Sequence, residues 1–247
     1  MIPFSDPSEP DHVFPWVNIG IILVNFAVFF TELSHLSQGQ ASMTSYILQY
    51  SLVPCEYTGH CAHYLYPGTP HPFFITLITS MFLHAGWLHI LGNMIFLWVF
   101  GDNVENAMGH FRYIVFYLLC GLAANGLEIA TSVTSPVPGL GASGAIAGVL
   151  AAYLVLYPLS RIATLIPISF IFIPVRLPAW VLIGFWFILQ LFNGIVVLSA
   201  RIAVGGVAYW AHVGGFTCGL VLVWMFRQPE RVGQWRRYHH ADPWMRP

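Results

Sequence analysis

The apolar residues of this chain come in near-continuous runs, each about the length that crosses a bilayer, roughly 20 residues. Gly, Pro and polar residues separate the runs. This patterning is the strongest constraint on the fold. Strands of a membrane barrel alternate apolar and polar residues, and these runs do not. In lipid every backbone N–H and C=O needs a partner within the protein, so helices are what remains. Composition agrees: 57% of the residues are hydrophobic and 8% charged, against about 25% charged in a soluble domain. The expectation is an integral membrane protein of the all-α class.

Taken in order, Met1 to Phe14 is polar, acidic and Pro-bearing and reads as a short disordered tail, residues 1–14. It lacks the basic stretch and small-residue cleavage site of a signal peptide, so no cleavable leader is expected. The first span runs from about Pro15 to Leu33, with Pro15 suited to a helix start. Ser34 to Pro72 is a long polar loop, in which Met43 to Leu52 reads as a short interfacial helix. Phe73 to Phe100 is too long for one crossing, and Ala85-Gly86 is the break. Phe73 to Phe82 is then a short helix, and Trp87 to about Val104 the second span, closed by Gly101-Asp102-Asn103-Val104-Glu105-Asn106. Glu105 reads as a loop-fixing residue.

The third span is about Phe111 to Ala130, the fourth Ser143 to Tyr157, the fifth Ala179 to Leu198 and the sixth Val204 to Phe226. Ile162 to Pro174 carries two prolines between Arg161 and Arg176 and reads as a re-entrant or interfacial loop. Residues 15–226 thus form one six-span bundle, and 227–247 a basic, polar tail.

Six spans put both termini on one side. All nine basic residues are Arg. Only Arg201 falls opposite the termini, so the positive-inside rule makes both termini cytoplasmic and turns the large first loop outward. The absence of Lys fits GC-rich coding and a bacterial source, hence a bacterial inner (plasma) membrane. No basic patch interleaved with aromatics points to nucleic acid.

Gly139-Leu140-Gly141-Ala142-Ser143-Gly144 stands between a Pro-rich loop and the fourth run. Glycines allow sharp turns and close backbone approach, and Ser143 opens the helix, where the dipole stabilises a developing oxyanion. Taken alone, Ser143 could equally be an N-cap or a small packing residue. The short fourth span places it below the outer surface. Irregular backbone there must be buried in protein or line a watery cavity. His212, about eight residues into the sixth span, lies near the same depth. Gly215 and Gly219, four apart on that helix, permit close approach of a neighbour. The imidazole could serve Ser143 as base or simply bond a carbonyl between helices. His89 and Asn93 share a face of the second span, and both can donate hydrogen bonds. A polar contact between helices is the other reading. Cys55 and Cys61 share the outward loop, where a disulfide can form. With His60 and His63 they could instead hold a metal, although the spacing fits no common zinc pattern. Cys120 and Cys218 read as buried apolar residues.

The set Gly141-x-Ser143-Gly144, Ala211-His212-x-x-Gly215-x-x-x-Gly219 and His84-x-x-x-x-His89-x-x-x-Asn93, in six spans, resembles the rhomboid family of intramembrane serine proteases from about residue 73 to 226. The resemblance implies Ser143 as nucleophile and His212 as general base. It implies His89, Asn93 and the Ser143 N–H as oxyanion donors, with His84, Gly141, Gly144, Gly215 and Gly219 in support. It implies transmembrane proteins as substrates, no metal and no cofactor. It also makes the fifth span and its outer loop, Ala179 to Val204, the path of substrate access; loosening the outer half of that span, for example by Phe192→Ala, is expected to raise turnover of membrane substrates. Two departures stand out. The Trp-Arg pair common in the first loop is missing. Where some members place a Tyr that stacks on the histidine, this chain has Ala147. The competing readings are a non-catalytic relative that binds transmembrane clients, and a small transporter, for which no internal repeat speaks.

Overall fold

The computed structural model describes residues 1–6, 13–61, 74–168, 170–200 and 207–232. His63, Arg201, the loop residues up to Val204 and the tail beyond 232 lie outside the described residues.

Helix α1 spans Trp16–Ser37. Its first N–H groups are capped from a distance: Val17 and Asn18 donate to Glu105 Oε1 and Oε2 at 3.1 and 2.7 Å. A carboxylate at this end also complements the helix dipole. The first loop contains α2 (Gln40–Tyr50) and α3 (Pro54–Thr58). Helix α4 (Thr76–Thr79) continues as a 3-10 turn, Ser80–Phe82. The chain then bends by 93° into α5, Trp87–Met108, so the break falls at Ala85-Gly86. Helix α6 (His110–Thr131) follows a single residue, Gly109, at φ 79°. Helix α7 is Ser143–Leu156, α8 Ala179–Ala200 and α9 Tyr209–Phe226.

The chain is an integral multi-pass membrane protein. Among the described residues, four helices are long and apolar enough to cross a membrane: Trp16–Ser37, His110–Thr131, Ala179–Ser199 and Tyr209–Phe226; the bent pair Thr76–Phe82 and Trp87–Met108 makes up to five. Ser143–Leu156 is apolar but only 14 residues long, about 21 Å at 1.5 Å per residue. It is apolar all round because it is central: from Gly144 to Tyr153 every residue is buried.

The all-α expectation is corrected by an antiparallel three-stranded sheet in the order β1-β2-β3. β1 is Ile2–Ser5, β2 Arg161–Ile168 and β3 Ile171–Pro178. The stretch expected to be a re-entrant loop is thus a hairpin, with Thr164 opposite Val175. The start of the expected disordered tail is its third strand, with Pro3 opposite Thr164. Ile162, Thr164, Ile166, Ile171, Ile173 and Val175 suit a pleated surface. The prolines that argued for a loop sit where no ladder donor is needed: Pro174 on the edge strand, and Pro167 beyond the 163–165 stretch that pairs with β1. Asp6 closes β1 onto the bundle, accepting from Asn103 Nδ2 and from Tyr153 Oη at 2.8 Å.

The polar stretch expected to close the second span is helical. α5 runs through it to Met108, with Asn103, Glu105 and Asn106 buried.

Candidate active site

Ser143 is the first residue of α7. The first backbone bond at this end runs from Ile146 N–H to Ala142 O, 3.0 Å, so the N–H groups of Ser143, Gly144 and Ala145 have no acceptor within the helix. The glycine-rich approach is held on two sides. Gly139 and Leu52 exchange backbone bonds of 2.6 and 2.9 Å, which ties the serine loop to the first loop, and Gly141 N–H donates to Ser80 O at 2.8 Å. Gly141 has φ 127°, and a Cβ there would press on the His89 ring at 2.9 Å; only glycine fits.

Close packing of α7 on α9 brings the histidine in. A Cβ on Gly215 would overlap the Gly144 carbonyl oxygen, and one on Gly219 the Gly148 carbonyl. Gly214, on the flank, meets α6 at Ala123 O, 2.9 Å from a built Cβ. With the backbones this close, Ser143 Oγ lies 2.7 Å from His212 Nε2. The place expected for His212 along its helix needs correction. α9 starts at Tyr209, so His212 is in its first turn. It meets Ser143 because α7 and α9 pack with their N-terminal turns side by side.

The other edge of the imidazole faces α8. His212 Nδ1 lies 2.8 Å from Gln190 Oε1, and the Trp186 ring centroid is 5.5 Å from that of His212, inclined at 41°. Trp186 and Gln190 are one turn apart and share a face. A ring from α8 thus stands where Ala147 offers none. Neither residue was expected from the sequence. The signal was there for Gln190, an amide inside an apolar span.

From α5, His89 Nδ1 accepts the Ala85 N–H at 3.4 Å. The ring proton then belongs on Nε2, the edge turned toward Gly141 and Ser143. Asn93, one turn on, is buried, and its Nδ2 has no hydrogen-bond partner among the described residues; a buried donor of this kind is what a transient anion needs. His84 packs edge-on against His89 with ring centroids 5.1 Å apart, and its own N–H donates to Glu32 Oε1 at 2.9 Å. A small cavity beside Ser143 is lined by Leu52, Ser80, Asn125, Gly141 and Ala208. Cys55 and Cys61 form a disulfide, which takes both thiols away from any metal.

The Rhomboid domain family matches residues 72–229, more than half of the chain, and the chain belongs to this family. The family includes serine intramembrane proteases. The chain is 29% identical over 215 residues to the mitochondrial presenilin-associated rhomboid-like protein of Rattus norvegicus, covering 78% of this chain and 52% of that protein. It is 31% identical over 170 residues to the chloroplastic rhomboid-like protein 11 of Arabidopsis thaliana, covering 66% and 55%. With the rhomboid protease GluP of Bacillus subtilis it shares 42% identity over 78 residues, 32% of this chain and 15% of that protein. The chain spans about half the length of the first of these relatives.

Proposed function

We propose that the chain is an intramembrane serine endopeptidase that hydrolyses peptide bonds in or near transmembrane segments of membrane proteins. The observation that carries this reading is the 2.7 Å approach of Ser143 Oγ to His212 Nε2. An unassisted serine hydroxyl is a weak nucleophile, and a base at this distance activates it. Ser143 Oγ attacks the scissile carbonyl and His212 Nε2 takes its proton. His89 Nε2–H, Asn93 Nδ2–H and the N–H groups at the start of α7 stabilise the tetrahedral oxyanion. His212 returns the proton to the leaving amine, and water, activated by the same base, releases the acyl group.

In this reading the bundle has six spans, α1, α4–α5, α6, α7, α8 and α9. Both termini are cytoplasmic, the first loop faces outward and substrates arrive past α8 and its outer loop. The Cys55–Cys61 disulfide fits an outward loop in an oxidising compartment. The membrane is proposed to be a bacterial plasma membrane, on the ground of the all-Arg basic set; the organellar names of two relatives stay with those proteins.

The test is labelling by a fluorophosphonate, comparing the native protein with Ser143→Ala. Labelling of the native protein alone supports the protease. A native protein that never labels, and never cleaves a transmembrane substrate, is instead a binder of transmembrane clients.

A further inference from the structure

We propose that Gln190 is a positioning residue for His212, and that through it the dyad is complete only while α8 is seated against α9. This rests on the protease reading for its consequence in catalysis, but not for the tautomer it assigns. Three features of the site support it.

The first is valence. A neutral imidazole has one N–H and one bare nitrogen. A base for Ser143 must present the bare nitrogen to the hydroxyl, so the proton must be on Nδ1. Nδ1–H needs an acceptor, because a buried unpaired donor is costly. Gln190 Oε1, at 2.8 Å, is that acceptor. The reverse pairing, with the amide NH2 donating to Nδ1, would place the proton on Nε2 and leave Ser143 without a base.

The second is origin. Ser143 comes from α7, His212 from α9 and Gln190 from α8. Trp186 lies on the same face of α8 and touches the same ring. α8 therefore supplies both the acceptor and the aromatic wall of the imidazole. Displacing α8 removes both at once, while the α7–α9 contact through Gly144, Gly148, Gly215 and Gly219 keeps the serine and the ring near each other.

The third is the surroundings. Among the described residues, the polar groups around His212 are His89 from α5, Ser143 from α7 at Nε2, and, beside its backbone, Glu128 of α6, whose Oε2 accepts the Ala211 N–H at 3.2 Å. Glu128 is thus engaged by the backbone before the ring. None of these is bonded to Nδ1, so its proton depends on Gln190.

Two readouts test this on the full chain in detergent. One is the 15N spectrum of histidine-labelled protein, with His212 assigned by its loss in His212→Ala. The native protein should show Nδ1 protonated and Nε2 bare, and Gln190→Met, similar in length but with only a weak thioether acceptor, should lose that single tautomer. The other is cleavage of a transmembrane substrate across pH. Gln190→Met should lower kcat by about 10–100-fold, taking the scale from partners that orient metal-bound histidines, with KM little changed. Gln190→Glu keeps an acceptor and should recover most of the rate. It should also move the acidic limb of kcat/KM to higher pH, because a carboxylate favours the imidazolium. Nε2-protonated His212 in the native protein overturns the proposal, as does a Gln190→Met variant with native kcat or a Gln190→Glu variant with an unmoved acidic limb. An inactive native protein with Nδ1 protonated and paired to Gln190 would overturn the protease reading and leave the positioning intact.

Discussion

Gly215 of α9 lies so close to the carbonyl of Gly144 that no side chain fits between them. Gly144 directly follows Ser143, and Gly215 is three residues past His212, so this contact sets the distance within the dyad. Gly215→Ala must push α9 outward. Overpacking of this kind costs about 1–3 kcal/mol, and the 2.7 Å approach of Oγ to Nε2 should be lost. The expected outcome is a lower Tm together with loss of fluorophosphonate labelling. Full labelling at native rate would show that the contact is not what brings the two residues together.

Ser143→Ala and His212→Ala are each expected to abolish cleavage of a transmembrane substrate while the protein stays folded, as judged by circular dichroism and Tm. His89→Ala and Asn93→Ala should slow turnover, by about 10²–10³-fold where a single oxyanion donor is lost. If both single variants and the double variant turn over at native rate, the two side chains are packing groups.

The Cys55–Cys61 disulfide closes a short loop whose backbone is tied to the serine approach: Cys55 N–H donates to Ser135 O at 3.1 Å. A cross-link of this loop length stabilises by about 2 kcal/mol in the chain-entropy account. Alkylation of denatured, unreduced protein should modify Cys120 and Cys218 only, and reduction should lower Tm. Four reactive thiols before reduction would contradict the bridge.

Asp6 makes stability depend on pH. Burial, with Asp102 nearby, pushes its carboxyl up from 3.8 to about 8. The folded chain therefore holds a proton that the unfolded chain releases above pH 3.8. Between these values the folded state binds more protons, so stability falls as pH rises toward 8 and the penalty is complete above it. The native Tm should decline from pH 5 to pH 9, and Asp6→Asn should flatten that decline. Equal slopes for the two proteins would mean that Asp6 is charged in the folded state at neutral pH.

The helices were legible in the sequence because run length and Gly or Pro punctuation act locally. The 14-residue α7 and the break at Ala85-Gly86 could be read for that reason. The sheet was not. β1 pairs with a strand more than 150 residues away, and the prolines of the hairpin look like breakers until the edge positions they occupy are known. At the site, Ser143 and His212 stood out as polar groups in apolar runs with glycines alongside. Gln190 satisfied the same criterion. What its sequence position lacked was a partner, since its bond to His212 depends on how α8 rotates against α9, which spacing along one helix does not encode.

The seat of α8 supplies the last prediction. The sequence makes Phe192→Ala a change that loosens the outer half of this helix and raises turnover, but Phe192 is 63% exposed, so that substitution should change little. Phe187 is the better anchor: its ring stacks on Phe216 of α9 with centroids 4.1 Å apart and planes 17° apart. Such a pair is worth about 0.5–1.5 kcal/mol beyond the area it buries. Phe187→Ala should therefore raise the population with α8 displaced. If α8 were only a door, a small fluorophosphonate would react as before and membrane substrates would be cleaved faster. With Gln190 on the same helix, displacement also takes the acceptor from His212, so the labelling rate of the small probe should fall. Adding Gln190→Met to Phe187→Ala should then cost less than it does in the native background, because the two changes remove the same bond. Fully additive losses in log rate would show that α8 position and His212 orientation are independent.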